Sequence, residues 1–89
     1  LSNNENRLKV YPNPVVNDFV TIELIHSVNQ AKVYIEWIDL FGKVVKTDRA
    51  LINETGQNIQ LSTVGLYSGV YLMKVSGSNW SVNQKVVKQ

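Results

Sequence analysis

A period of two constrains this chain more than any other feature. From Phe19 onward, Val20, Ile22 and Leu24 alternate with Thr21 and Glu23; further on, Val33, Ile35 and Trp37 alternate with Lys32, Tyr34 and Glu36. Successive Cβ atoms of an extended chain point to opposite faces, so alternation over about four to eight residues specifies a strand with one buried face. The same pattern predicts strands over Leu8–Val10, Asn58–Leu61, Val70–Val75 and Trp80–Val87. Val44–Ile52 alternates less regularly but is β-branched at its start, which also favours a strand.

Turn chemistry separates these runs. Pro12 and Pro14 fix their own φ and push Tyr11 and Asn13 toward extended geometry, so they end the first strand in a stiff corner. Asp39-Leu40-Phe41-Gly42 predicts a tight hairpin in which Gly42 takes a positive φ. Further turns are expected at Asn53–Gly56, Leu66–Gly69 and Ser76–Asn79. About seven short strands in 89 residues point to an all-β antiparallel sandwich, with a small barrel as the alternative. A hydrophobic content of 44% supplies one core, and 18% charge is too little for a disordered chain. Residues 1–7 read as a polar linker from something larger upstream, and residues 8–89 as the sandwich. No apolar run approaches the roughly 20 residues of a membrane-spanning helix.

The residues that carry chemistry are sparse. Nine Lys and Arg against seven Asp and Glu leave +2, spread along the chain, with no basic stripe for nucleic acid. With no cysteine there is no disulfide, thiolate metal site or thiol nucleophile. His26 is the only histidine; it lacks partners for a zinc site and a Gly-x-Ser-x-Gly elbow for a triad, so an exposed strand-end position is expected. Glu23 and Glu36 lie on polar faces of consecutive strands, and as cross-strand neighbours they would keep an outer face soluble without acting as an acid–base pair. Asp39 is expected to hydrogen-bond the backbone of its turn. The five glycines never take a phosphate-cradling spacing. Tyr34, Trp37, Tyr67, Tyr71 and Trp80 would make a sugar platform only if exposed and coplanar, and their positions favour core and rim packing. No cofactor is expected. The chain ends in Gln84-Lys-Val-Val-Lys-Gln89, a strand whose alternating lysines and valines could offer an edge to a receptor.

Four segments in order, Leu8-Lys-Val-Tyr-Pro-Asn-Pro14, Asp39-Leu-Phe-Gly-Lys-Val44, Ser68-Gly-Val-Tyr-Leu72 and Lys85-Val-Val-Lys88, give the sequence a family resemblance from Leu8 onward. It resembles the type A C-terminal sorting domain of the type IX (Por) secretion system of Bacteroidetes. Gln84 stands where many members carry a lysine. The resemblance implies an immunoglobulin-like sandwich of about seven strands, attached to a cargo and acting as its address. It further implies export through the periplasm and across the outer membrane, giving a secreted or cell-surface product. The partners implied are the translocon and, in many members, a sortase-like surface peptidase that removes the domain. No enzymatic activity, nucleic acid or membrane insertion is implied. By position, recognition falls to Gly69, Tyr71, Lys85, Val86, Val87 and Lys88, while Pro12, Asn13, Pro14 and Gly42 are structural. Removing Lys85–Gln89 is expected to stop export and leave the domain folded. The rival expectation is an immunoglobulin- or fibronectin-like module that binds glycan or spaces an adjacent enzyme.

Overall fold

The computed structural model describes residues 7–25, 31–54 and 56–89. The strands are β1 (Arg7–Tyr11), β2 (Phe19–Ile25), β3 (Ala31–Ile38), β4 (Val44–Ile52), β5 (Asn58–Ser62), β6 (Gly69–Ser76) and β7 (Ser81–Lys88). They form two antiparallel sheets, ordered β1-β2-β5 and β4-β3-β6-β7. Because the sheets remain separate, with β1 and β5 bounding one and β4 and β7 the other, the architecture is a sandwich and not a barrel. Arg7, expected to close the linker, opens β1; the rest of that linker and His26 lie outside the described residues.

Alternation becomes burial as expected. Val20 and Ile22 of β2, Val33, Ile35 and Trp37 of β3, and Met73 and Val75 of β6 join one core, each almost fully removed from water. Burying a side chain of this size contributes about 1.5–3 kcal/mol. Leu61, Leu8, Val15, Ile52, Val86 and Tyr71 complete that cluster from β5, β1, the β1–β2 connection, β4, β7 and β6. The β3–β4 turn closes through bonds from Asp39 N to Lys43 O and from Gly42 N to Asp39 O, at 2.9 and 3.0 Å. Gly42 has φ 82°, the left-handed value expected of it.

Sheet membership corrects one expectation. Glu23 and Glu36 are not cross-strand neighbours, because β2 and β3 belong to different sheets. β1 and β5 already occupy both edges of β2, so the chain crosses to the other layer before β3. Glu23 stands opposite Lys9 and Asn58, and Glu36 opposite Thr47 and Lys74.

This order is immunoglobulin-like, with the fourth strand paired to the third instead of the fifth. Two internal features of that fold recur without its disulfide. Trp37, on the third strand, is fully buried. Tyr71, near the start of the sixth, donates its hydroxyl to the carbonyl of Tyr67 at 2.5 Å, closing the corner that leads into β6.

The registers also fix which ends of the strands meet. Tyr11 of β1 lies near the start of β2, the end of β5 meets Phe19, and the end of β3 meets the starts of β4 and β6. Lys88 pairs with Gly69 at this same end, and Arg7 stands with Ile25 at the opposite one.

Candidate functional site

Strand β7 is an edge strand, paired on one side with β6 from Ser76–Ser81 to Gly69–Lys88. In an antiparallel ladder, alternate residues turn both backbone groups toward the same neighbour. Gly77 N donates to Trp80 O, so the even-numbered residues of β7 bond to β6. Ser81, Asn83, Lys85 and Val87 therefore aim their N–H and C=O groups outward. An edge of this kind can receive an added strand.

The segment between β1 and β2 closes half of that edge. Asn13 Oδ1 accepts from Val87 N, and Asn13 Nδ2 donates to Lys85 O, each at 3.0 Å. Val15 N donates to Val87 O at 2.7 Å, and Gln89 N donates to Val15 O at 2.9 Å, a short parallel bridge. Pro12 and Pro14, which carry no N–H, flank Asn13, and both of their preceding peptide bonds are cis. Val15 is fully buried, which anchors this strap in the core. Thr63, also fully buried, donates its hydroxyl to Asn17 O at 3.0 Å and its N–H to Asp18 O at 2.7 Å, tying the connection to the end of β5. Sequence reasoning placed Asn13 in a corner but had no signal for its partners, which are backbone groups more than 70 residues away.

The candidate recognition residues divide by exposure. Lys85 faces solvent, Val87 and Lys88 are half-buried, and Val86 is fully buried. Tyr71 is 7% exposed with its hydroxyl bonded inward, so its ring is part of the core. Gly69 opens β6 opposite Lys88. Removing Lys85–Gln89 would therefore take packing and hydrogen bonds from the fold as well as side chains from the surface. Those residues supply Val86 to the core and the backbone partners of Asn13 and Val15.

The same end of the sandwich carries an unexpected set of apolar side chains. Val16, Phe19, Leu40, Phe41, Val64 and Tyr67 are exposed in the connections there or at their margin, Phe41 at 95% and Tyr67 at 88%. Exposed large apolar groups gathered at one place are more informative than scattered ones. Asp39 Oδ1 accepts from Phe41 N at 2.9 Å and Lys43 N at 3.0 Å, holding the Phe41 turn in shape, as its sequence position suggested.

The other sheet edge is treated differently. β4 is the outer strand beside β3, and its core-side face carries Lys46 and Asp48, linked at 3.1 Å and each about a quarter exposed. Charges pointing inward on an edge strand oppose the docking of a second sheet. Along the outside of β3 and β4 runs an open groove lined by Tyr34, Glu36, Thr47 and Arg49. The aromatic residues do not assemble there. Trp37 and Tyr71 are internal, Tyr34 lies on the outer face of β3, Tyr67 in the β5–β6 connection, and Trp80 at the far hairpin. Among the described residues no cluster of three or more histidine or carboxylate side chains is placed to hold a metal.

The family model described as the secretion system C-terminal sorting domain matches residues 9–89. No curated protein matches the sequence.

Proposed function

The chain belongs to the secretion system C-terminal sorting domain family, the sorting signals of type IX secretion, and we propose that the export machinery grips it at the end of the sandwich where β7 finishes. There Lys85 and Lys88 flank the buried Val86 anchor, and the apolar residues of the neighbouring connections, Phe41 and Tyr67 foremost, extend the surface. The observation that carries this reading is that the connections bearing these exposed apolar side chains lie at the same end of the sandwich as the finish of β7. A partner that must bind and release suits a modest apolar patch rimmed by charge.

Gly69 and Tyr71 serve recognition indirectly: Gly69 begins the strand that pairs with Lys88, and Tyr71 fixes the corner before it. The domain is not an enzyme in this reading; it carries an attached cargo to the cell surface or beyond, and a surface peptidase then separates the two. A glycan-binding role draws no support from the dispersed aromatics.

The test is export of a periplasm-directed reporter fused ahead of residues 1–89 in a type IX-competent host. The K85A/K88A variant should fold with unchanged thermal midpoint and leave the reporter in the periplasm. Full export by that variant would remove the lysines from the reading. Retention of the reporter by the unchanged domain would overturn the sorting role itself.

A further inference from the structure

We propose that Asn13 is a positioning residue for the sorting signal: its carboxamide stands in for a neighbouring strand and holds Lys85–Gln89 closed, so that the machinery reads side chains on a finished strand and does not add a strand to its edge. This rests on the sorting function and concerns how the terminal strand is recognised.

Strand addition needs outward N–H and C=O groups that are free to pair. In the terminal half of β7 three of the four outward groups of Lys85 and Val87, and the N–H of Gln89 beyond them, are engaged within the chain. Val87 N is held by Asn13 Oδ1, Val87 O by Val15 N, Lys85 O by Asn13 Nδ2 and Gln89 N by Val15 O. A partner strand would have to strip off four bonds and lift Val15 out of the core, where its side chain is fully buried. Side chains remain available: Lys85 points to solvent, and Lys88 is half-exposed beside the strap.

The choice of residue follows from the two contacts. A carboxamide offers a donor and an acceptor at once, which is what an N–H and a C=O on the same edge require. Aspartate retains the acceptor for Val87 N but has no donor, and lays its charge against Lys85 O. Alanine offers neither. The flanking prolines contribute no N–H that would compete for these partners.

The experiment compares Asn13→Ala and Asn13→Asp with the parent chain by amide hydrogen exchange and by reporter export. In Asn13→Ala the Val87 amide should exchange about tenfold faster or more, while the Ile22 and Ile35 amides of the central strands keep their protection. Export should fall in the same variant. Asn13→Asp should keep most of the Val87 protection and lie between the two in export; it is the variant to follow if alanine loosens the whole domain and Ile22 and Ile35 lose protection too. Unchanged Val87 exchange in Asn13→Ala would overturn the clamp. Undiminished export despite faster exchange would overturn its role in recognition, and increased export would establish strand addition in its place. Failure of the unchanged domain to export its reporter would instead strike the sorting function and leave the exchange result to decide the clamp.

Discussion

The ring of Tyr71 stands edge-on to the indole of Trp37, their centroids 5.9 Å apart and their planes at 85°. That geometry sets the positive ring edge of one against the electron-rich face of the other, worth about 0.5–1.5 kcal/mol beyond burial. Together with the hydroxyl bond to Tyr67 O, it gives this tyrosine a structural task away from the surface. Tyr71→Phe should cost about 1 kcal/mol in urea denaturation and retain export. Tyr71→Ala should cost about 3–5 kcal/mol. Loss of export in Tyr71→Phe with the fold intact would give the hydroxyl a direct role in recognition.

The last five residues belong to the fold as well as to the proposed signal. Val86→Ala should lower stability by about 2 kcal/mol, the sum of lost burial and a residual cavity. Truncation after Gln84 should lower it further, since it also removes the partners of Asn13 and Val15. Thermal melts of both variants check this. A truncated domain as stable as the parent would separate signal from fold.

Gly77 lies directly against the indole of Trp80 in the β6–β7 hairpin. A methyl group added to Gly77 would collide with Cε2 and Nε1 of that ring. Gly77→Ala should therefore displace Trp80, with a loss of about 1–3 kcal/mol and a changed tryptophan emission spectrum. An unaltered spectrum would mean that the hairpin absorbs the methyl elsewhere.

On β4 the inward-facing pair of Lys46 and Asp48 guards a nine-residue edge. Replacing both by valine should leave the monomer folded but make the edge adhesive. Size-exclusion chromatography with light scattering should then detect larger species than the parent forms. Identical elution at matched concentration would show that the edge is protected by something other than charge.

Much of the fold was legible because strand chemistry is local. The period-two runs announced β2 and β3 residue by residue, since burial of one face leaves a direct trace in hydropathy, and Asp39 with Gly42 announced its turn. Which layer each strand joins left no such trace. Glu23 and Glu36 look like neighbours along the chain, but the crossing before β3 puts them in different sheets. The strap was equally hidden: every outward group of β7 that it meets is a main-chain atom, common to all residues, so no side-chain pattern could name Lys85 and Val87 as partners of Asn13. Tyr71 was singled out by its motif for recognition, whereas its contacts give it a place in the core. The exposed residues Phe41 and Tyr67 stood in plain view, and only the convergence of their connections at one end made them a set.

Arg7 and Lys88 stand at opposite ends of the strands. A cargo joined ahead of β1 would enter at the end of the strands opposite the surface proposed for recognition. In the proposed reading the length of the strands sets the label apart from the parcel, so that one domain can serve passengers of unrelated shape.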